Sequence, residues 1–174
     1  MISLLLALLL SGCGEERWAV KILQDSEAVL IYPTPVETTV PQLRSIHAPP
    51  YSASRGRNET ELTTYRIVVY VIGVKLETDG DIHVVVAETP STKATMIVEF
   101  PSAECAPEFA TVREKFVRLL GRPPTAKYRK RVKPLRVELV GTAFFDLLHG
   151  QVGVAPNGIE LHPVLDVGEA SYDD

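Results

Sequence analysis

Cysteine is scarce in this chain, with Cys13 and Cys105 the only two among 174 residues. That excludes the multi-bridge framework that staples small secreted domains. Apolar runs long enough to cross a bilayer are missing as well. The stretch from Ile2 to Leu10 is broken only by Ser3, yet it falls short of the roughly 20 residues a spanning helix needs. Positive charge is in deficit: 18 Lys and Arg against 22 Asp and Glu give a net charge of -4. The molecule as a whole therefore has no electrostatic pull towards nucleic acid. No segment repeats, which excludes a solenoid or propeller. What remains, 45% hydrophobic and 23% charged, is ordinary globular composition, sufficient for one cored domain with an extension.

The N-terminus carries the strongest signal. Ile2 to Leu10 fits the apolar core of an export signal. Leu10-Ser11-Gly12-Cys13 resembles a bacterial lipobox, in which small residues admit a peptidase to the bond before a cysteine that is then diacylated. On this reading residues 1–12 are a lipoprotein signal peptide and Cys13 is the lipidated first residue of the mature chain. The protein is then exported and anchored to a membrane of the bacterial envelope, facing the periplasm or the cell surface. No Lys or Arg precedes the apolar run, a departure from the usual signal. Cys105 is left as a lone thiol without a disulfide partner, and no adjacent base favours its thiolate.

Residues 13–62 read as an irregular N-terminal extension or linker. Trp18, Val20, Ile22 and Leu23 suit a short strand or an apolar strap, and TTVPQLRSI a brief helix capped by Thr38 or Thr39. Between residues 63 and 168 the pattern sharpens. A β-branched run, TYRIVVYVIGVKLE, is interrupted by Gly73; DIHVVVA and TMIVEF follow after turn-forming segments. Pro107 opens a helix with Phe109, Val112, Phe116 and Leu119 at helical spacing, and Gly121 with Pro123 and Pro124 ends it. PLRVELVGTAFF, bent at Gly141, and GIELHPVLDV supply two more strands. Residues 169–174 form an acidic tail expected to be disordered. The expected fold is mainly β (α+β): an OB-like five-stranded barrel with one helix between its third and fourth strands, curled at two glycines.

The segments VKLETDGDIHVVV and FFDLLHGQVGVAPNGIELHPVLDV, with Trp18, TTV, MIVEFP and Cys105 in matching places, resemble a family of uncharacterised exported bacterial proteins. The resemblance runs from about Trp18 to Val167. It implies export and a single-domain layout and carries no chemistry. A weaker resemblance is to staphylococcal-nuclease-like OB barrels, through the acidic turn Asp79-Gly80-Asp81 and through Glu99-Phe100-Pro101 with Glu104. Those nucleases hold the transition-state phosphate with an arginine on strand three. No arginine lies between Ala94 and Phe100, and Lys93 lacks the bidentate fork.

Two constellations are candidate sites. His83 opens the second strand, while Asp146, His149, Glu160 and His162 belong to the connection and strand that end the barrel. Glu160 and His162 alternate with Ile159 and Leu161, so they share a face. Loops of this kind flank the binding groove of an OB-fold. One reading is a Zn²⁺-type site, with His83, His149 and His162 as ligands and Asp146 or Glu160 as ligand or base. The other is structural. A connection of about ten residues is long for a hairpin, so Asp146, His149 and Gln151 would satisfy its backbone, Gly150 and Gly153 would take positive φ, and Asn157-Gly158 would turn it.

The second constellation is GRPPTAKYRKRVKPLR, residues 121–136. It holds seven of the 18 basic residues, including Lys127, Arg129, Lys130, Arg131 and Lys133, and no acid. It suits phosphates, anionic lipid headgroups or acidic glycans, or it is a solvated loop. Together these features lead to an expected function as an exported, lipid-anchored OB-like binding module of the envelope. Its partners would be the membrane and an anionic ligand or an envelope protein. The alternative is a metal-assisted hydrolase of the phosphodiesterase or nuclease kind.

Overall fold

A computed structural model describes residues 12–14 and 16–171. The expected signal peptide up to Ser11 and the last three residues of the acidic tail lie outside the described residues. The barrel is a single sheet curled shut. Strand β2 (Thr63–Leu76) is its longest element, and its buried and exposed side chains largely alternate, as a strand with one face on a core requires. It pairs antiparallel with β3 (Ile82–Ala87) through its second half and with β6 (Arg136–Phe145) through its first. Strand β4 (Met96–Phe100) pairs with β3, and β7 (Ile159–Glu169) runs parallel to β4 and antiparallel to β6. The closed order β2-β3-β4-β7-β6 is an OB-like five-stranded barrel.

Both glycine bends are present. The β2–β3 register shifts between Val71 and Gly73, and the β6–β7 register shifts on either side of Gly141. At the first point the extra residue is Ile72 on β2 itself; at the second the extra residues lie on β7 opposite Gly141. Such bulges let a sheet turn the barrel's corner. The helix α3 (Ala110–Leu120), entered through a short 3-10 turn at Pro107–Phe109, lies between the third and fourth barrel strands. Gly121 ends it at φ 73, the left-handed conformation glycine adopts without Cβ strain. Phe116 stacks on Phe100 at 4.3 Å between ring centroids, and Arg113 donates to the carbonyls of Phe100, Pro101 and Gly80. This helix closes one end of the barrel.

Two further strands lie outside it: β1 (Tyr32–Glu37), parallel to β2, and β5 (Arg129–Lys130), antiparallel to the second half of β2. The extension before β2 is packed against the barrel. Trp18–Lys21 is one helical turn, α1, where a strand or strap was expected, and Val20 and Ile22 enter the core. Val40–Ser45 is the expected brief helix, α2, with Thr39 Oγ1 accepting from Gln42 N–H. A buried ion cluster ties these pieces down. Glu61, fully buried, meets Arg17 at 2.7 Å and Arg55 at 2.6 Å, and Arg57 meets Asp25 at 2.6 Å.

The cysteines correct one expectation. Cys105 is not a lone thiol: it is disulfide-bonded to Cys13, with the two Cα atoms 5.6 Å apart. Their sequence separation of 92 hid a partnership that the fold creates by bringing Cys13 to the loop after β4. No helix among the described residues is long and apolar enough to cross a membrane.

Candidate functional site

Three elements converge where the β2–β3 turn, β4 and β7 meet. His83 and Glu99 are cross-strand partners on β3 and β4, so their side chains share a face. Glu160 on β7 pairs in register with Ile97 on β4, and two residues further along both strands His162 comes beside Glu99. Asp81 sits at the end of the acidic turn, 1% exposed, fixed by Ser102 N–H donating to its Oδ1 at 2.7 Å. The outer face of β3 is covered by the connection between β6 and β7. Gly153, at φ 84, lies so close to Val85 that no Cβ would fit, and His83 Nε2 reaches Val152 O at 2.9 Å.

The centre of this cluster is His162, 1% exposed. Its Nδ1 lies 3.1 Å from Glu160 Oε1 and 3.2 Å from Glu99 Oε2. Its Nε2 faces Asp81 Oδ2 at 3.5 Å, within ion-pair range but without a hydrogen bond. His83 Nδ1 lies 3.0 Å from Glu99 Oε1. Both of its ring nitrogens therefore face oxygens that only accept, as its doubly protonated form requires. Lys21, from α1, enters from the extension: its Nζ lies 3.4 Å from Asp146 Oδ1 and 5.1 Å from the Phe144 ring centroid.

Burial and charge pull these groups apart in titration. Burial alone would lower the pKa of His162, but Asp81, Glu160 and Glu99 hold it well above the usual histidine value. His83 is likewise raised, its burial outweighed by Glu99. Burial would push Glu99 up, yet the hydrogen bonds from His162 and His83 hold it far below the carboxylate range. Glu160 goes the other way. Burial and the neighbouring carboxylates of Glu99 and Asp146 push it up to about 7. Lys21 is driven above its ordinary value, because Glu160, Asp146 and Glu99 outweigh its burial.

A cleft of about 410 Å³ opens onto this network. His83, Asp146, His149 and Glu160, four of the five expected site residues, line it together with Lys21, Glu99 and Tyr128. His162 lies beneath it, 1% exposed. The three imidazoles do not form a common ligand set: His149 is exposed, and both nitrogens of His83 are engaged. Among the described residues, the group able to hold a metal ion is instead Asp81, Glu99 and His162, one ligand atom of each lying within 4.8 Å of the others. In the sequence, Asp81 and Glu99 stand out only through the nuclease-like resemblance, one in an acidic turn and one inside an apolar strand, and neither is placed with the histidines. A lone acid within MIVEF was the signal available. Lys21 carried none, because its position depends on a single helical turn.

The connection also does the structural work expected of it. Gln151 accepts from His149 N–H at 3.0 Å and donates to Asp146 Oδ2 and Leu147 O, and Gly150, Gly153 and Gly158 all have positive φ. The residues Lys127, Arg129, Lys130 and Lys133 lie exposed on and around β5, away from the buried network, and Arg131 is half-buried among them. Compared with protein-family models, curated proteins and solved structures, the chain matches none.

Proposed function

We propose that this protein is an exported barrel module that binds a divalent metal ion through Asp81, Glu99 and His162. The observation that carries the reading is the state of His162: its Nδ1 rests on Glu160 Oε1 at 3.1 Å, while its buried Nε2 faces Asp81 with no hydrogen-bond partner. Metal-bound histidines are held in this way, with one ring nitrogen on a carboxylate and the other turned to the ion. Two carboxylates and one imidazole form a donor set for zinc, manganese or iron. Binding would displace the proton of His162, so affinity falls with acid.

The test is bound metal after dialysis of the full chain against Zn²⁺ or Mn²⁺, read together with thermal unfolding. Stoichiometric metal is expected in wild type and in His149→Ala, and is lost in His162→Ala and Asp81→Asn. Wild-type protein that stays folded, holds no metal and gains no stability from it overturns the reading. The hydrolase remains the second reading, favoured by the open cleft beside Glu99, which has room for a substrate next to the ion. A phosphodiesterase assay on the metal-loaded protein, lost in Glu99→Gln, is its test.

Export is supported by the apolar run before Cys13 and by the Cys13–Cys105 disulfide, since structural disulfides persist in oxidising compartments. The Cys13 sulfur cannot carry a diacylglycerol thioether and a disulfide at once. Intact mass of protein taken from membranes decides between them: acylated Cys13 with a free Cys105 thiol, or an unacylated bridged pair.

A further inference from the structure

The cleft uses one residue of the basic stretch, Tyr128, and leaves its cations elsewhere. Strand β5 lays the stretch along the edge of β2, pairing Lys130 with Gly73 and Arg129 with Val74, and Arg131 N–H donates to Ile72 O at 2.8 Å. Beyond it the chain loops out and rejoins β2 at Leu135, whose carbonyl accepts from Val71 N–H at 2.9 Å. The Arg131 guanidinium donates from Nε to Lys133 O at 3.2 Å and from a terminal nitrogen to Leu120 O at 3.4 Å. With the backbone fixed in this way, Val132 stands out at the apex, 97% exposed. Lys127, Arg129, Lys130 and Lys133 are exposed around it, with no carboxylate partner among the described residues.

Charge alone would suit any polyanion, but two features choose among them. The one aromatic of the stretch, Tyr128, packs its hydroxyl end against Gly73 and lines the cleft, so its ring is committed there and is not a free-standing platform for a nucleic-acid base. The apex is an aliphatic side chain held in water, which a phosphate chain has no means to bury. The boundary between lipid headgroups and acyl chains does. We propose that residues 127–133 are a membrane-docking ribbon that holds anionic phospholipid headgroups with Lys127, Arg129, Lys130 and Lys133 and seats Val132 among them. This inference is independent of the metal reading, since it shares none of its residues.

The experiment is co-sedimentation of the disulfide-bridged full chain with vesicles of phosphatidylcholine alone or mixed with phosphatidylglycerol. The apolar run near the N-terminus acts on both vesicle types, so the readout is the difference between them. Each basic side chain near an anionic surface contributes roughly fivefold in partitioning. Wild type is expected to prefer the anionic vesicles by on the order of a hundredfold at low salt, and added salt weakens that preference. Lys130→Glu with Lys133→Glu abolishes the preference, and Val132→Asp reduces it by roughly tenfold or less with unchanged thermal unfolding, as a fully solvated site allows. Equal binding to both vesicle types, or a preference that survives Val132→Asp and the double variant, overturns the proposal. So does a single-stranded oligonucleotide that displaces the vesicles from wild type and binds Val132→Asp equally well.

Discussion

At the scale of single residues, Glu61 concentrates more interactions than its place in an irregular segment suggests. It accepts from Arg17, from Arg55 and from the backbone N–H groups of Asn58 and Phe145, and it has no solvent exposure. Removing one partner of such a cluster strands the others as buried charges. Glu61→Gln is therefore expected to destabilise the protein by about 3–5 kcal/mol in urea unfolding. The replacement keeps the shape and removes the charge, so a loss below about 1 kcal/mol would show the cluster to be incidental. The same residue sets an acid dependence. Burial would raise its pKa, but the bonds from Arg17, Arg55 and Phe145 lower it below the ordinary value. A carboxylate depressed in the folded state adds stability above its unfolded pKa of about 4.3. That stability is lost as pH falls through the folded value. Asp25, lowered by Arg57 against its burial, adds to the same limb. Stability measured below pH of about 4 should fall more steeply in wild type than in Glu61→Gln.

At the scale of elements, the connection between β6 and β7 is the piece whose packing makes the cleft. Its closest approach is Gly153 against Val85. Gly153→Ala asks a side chain to adopt φ 84 and to occupy space already held by β3. A loss of about 1–3 kcal/mol is expected, with faster amide exchange across residues 150–154 as His83 Nε2 loses Val152 O. An alanine variant as stable and as protected as wild type would mean that the loop is not held by this contact. The elements also show which features could be read in advance. Gly73 and Gly141 mark the barrel's corners because a glycine amid β-branched residues has few other uses, and α3 announced itself by spacing and by its Pro and Gly ends. Strand β1 did not, since Pro33 and Pro35 argue against a strand until its edge position in a sheet is known. Likewise His83 and Glu160 were visible as polar residues in strands. Asp81 and Glu99 were visible only as the acidic turn and strand end of the nuclease-like resemblance. They met His162, and Lys21 met Asp146, only through the β3–β4 and β4–β7 registers and the packing of α1, which no local pattern encodes.

At the scale of the whole molecule, two fastenings hold the extension to the barrel, and they act differently. The disulfide joins Cys13 to Cys105 across 92 residues, so its weight lies in the unfolded chain, whose freedom it restricts. The Arg17–Glu61 contact lies four residues further on, inside the folded protein, and Lys21 follows it into the cleft. Cutting the first should therefore cost stability without dismantling the site. Cys105→Ser is expected to lower the unfolding free energy by about 2–4 kcal/mol, with the same loss on reducing wild type in urea. On the metal reading proposed above, its metal retention should stay at the wild-type level, because α1 and its lysine remain pinned by Glu61. Glu61→Gln should do the reverse in kind: it releases α1, withdraws Lys21 from Asp146, and alters metal retention even with the disulfide intact. If, on that same proposed reading, Cys105→Ser alone abolishes metal retention, then the bridge, and not the buried ion cluster, is what positions Lys21, and the two fastenings exchange roles.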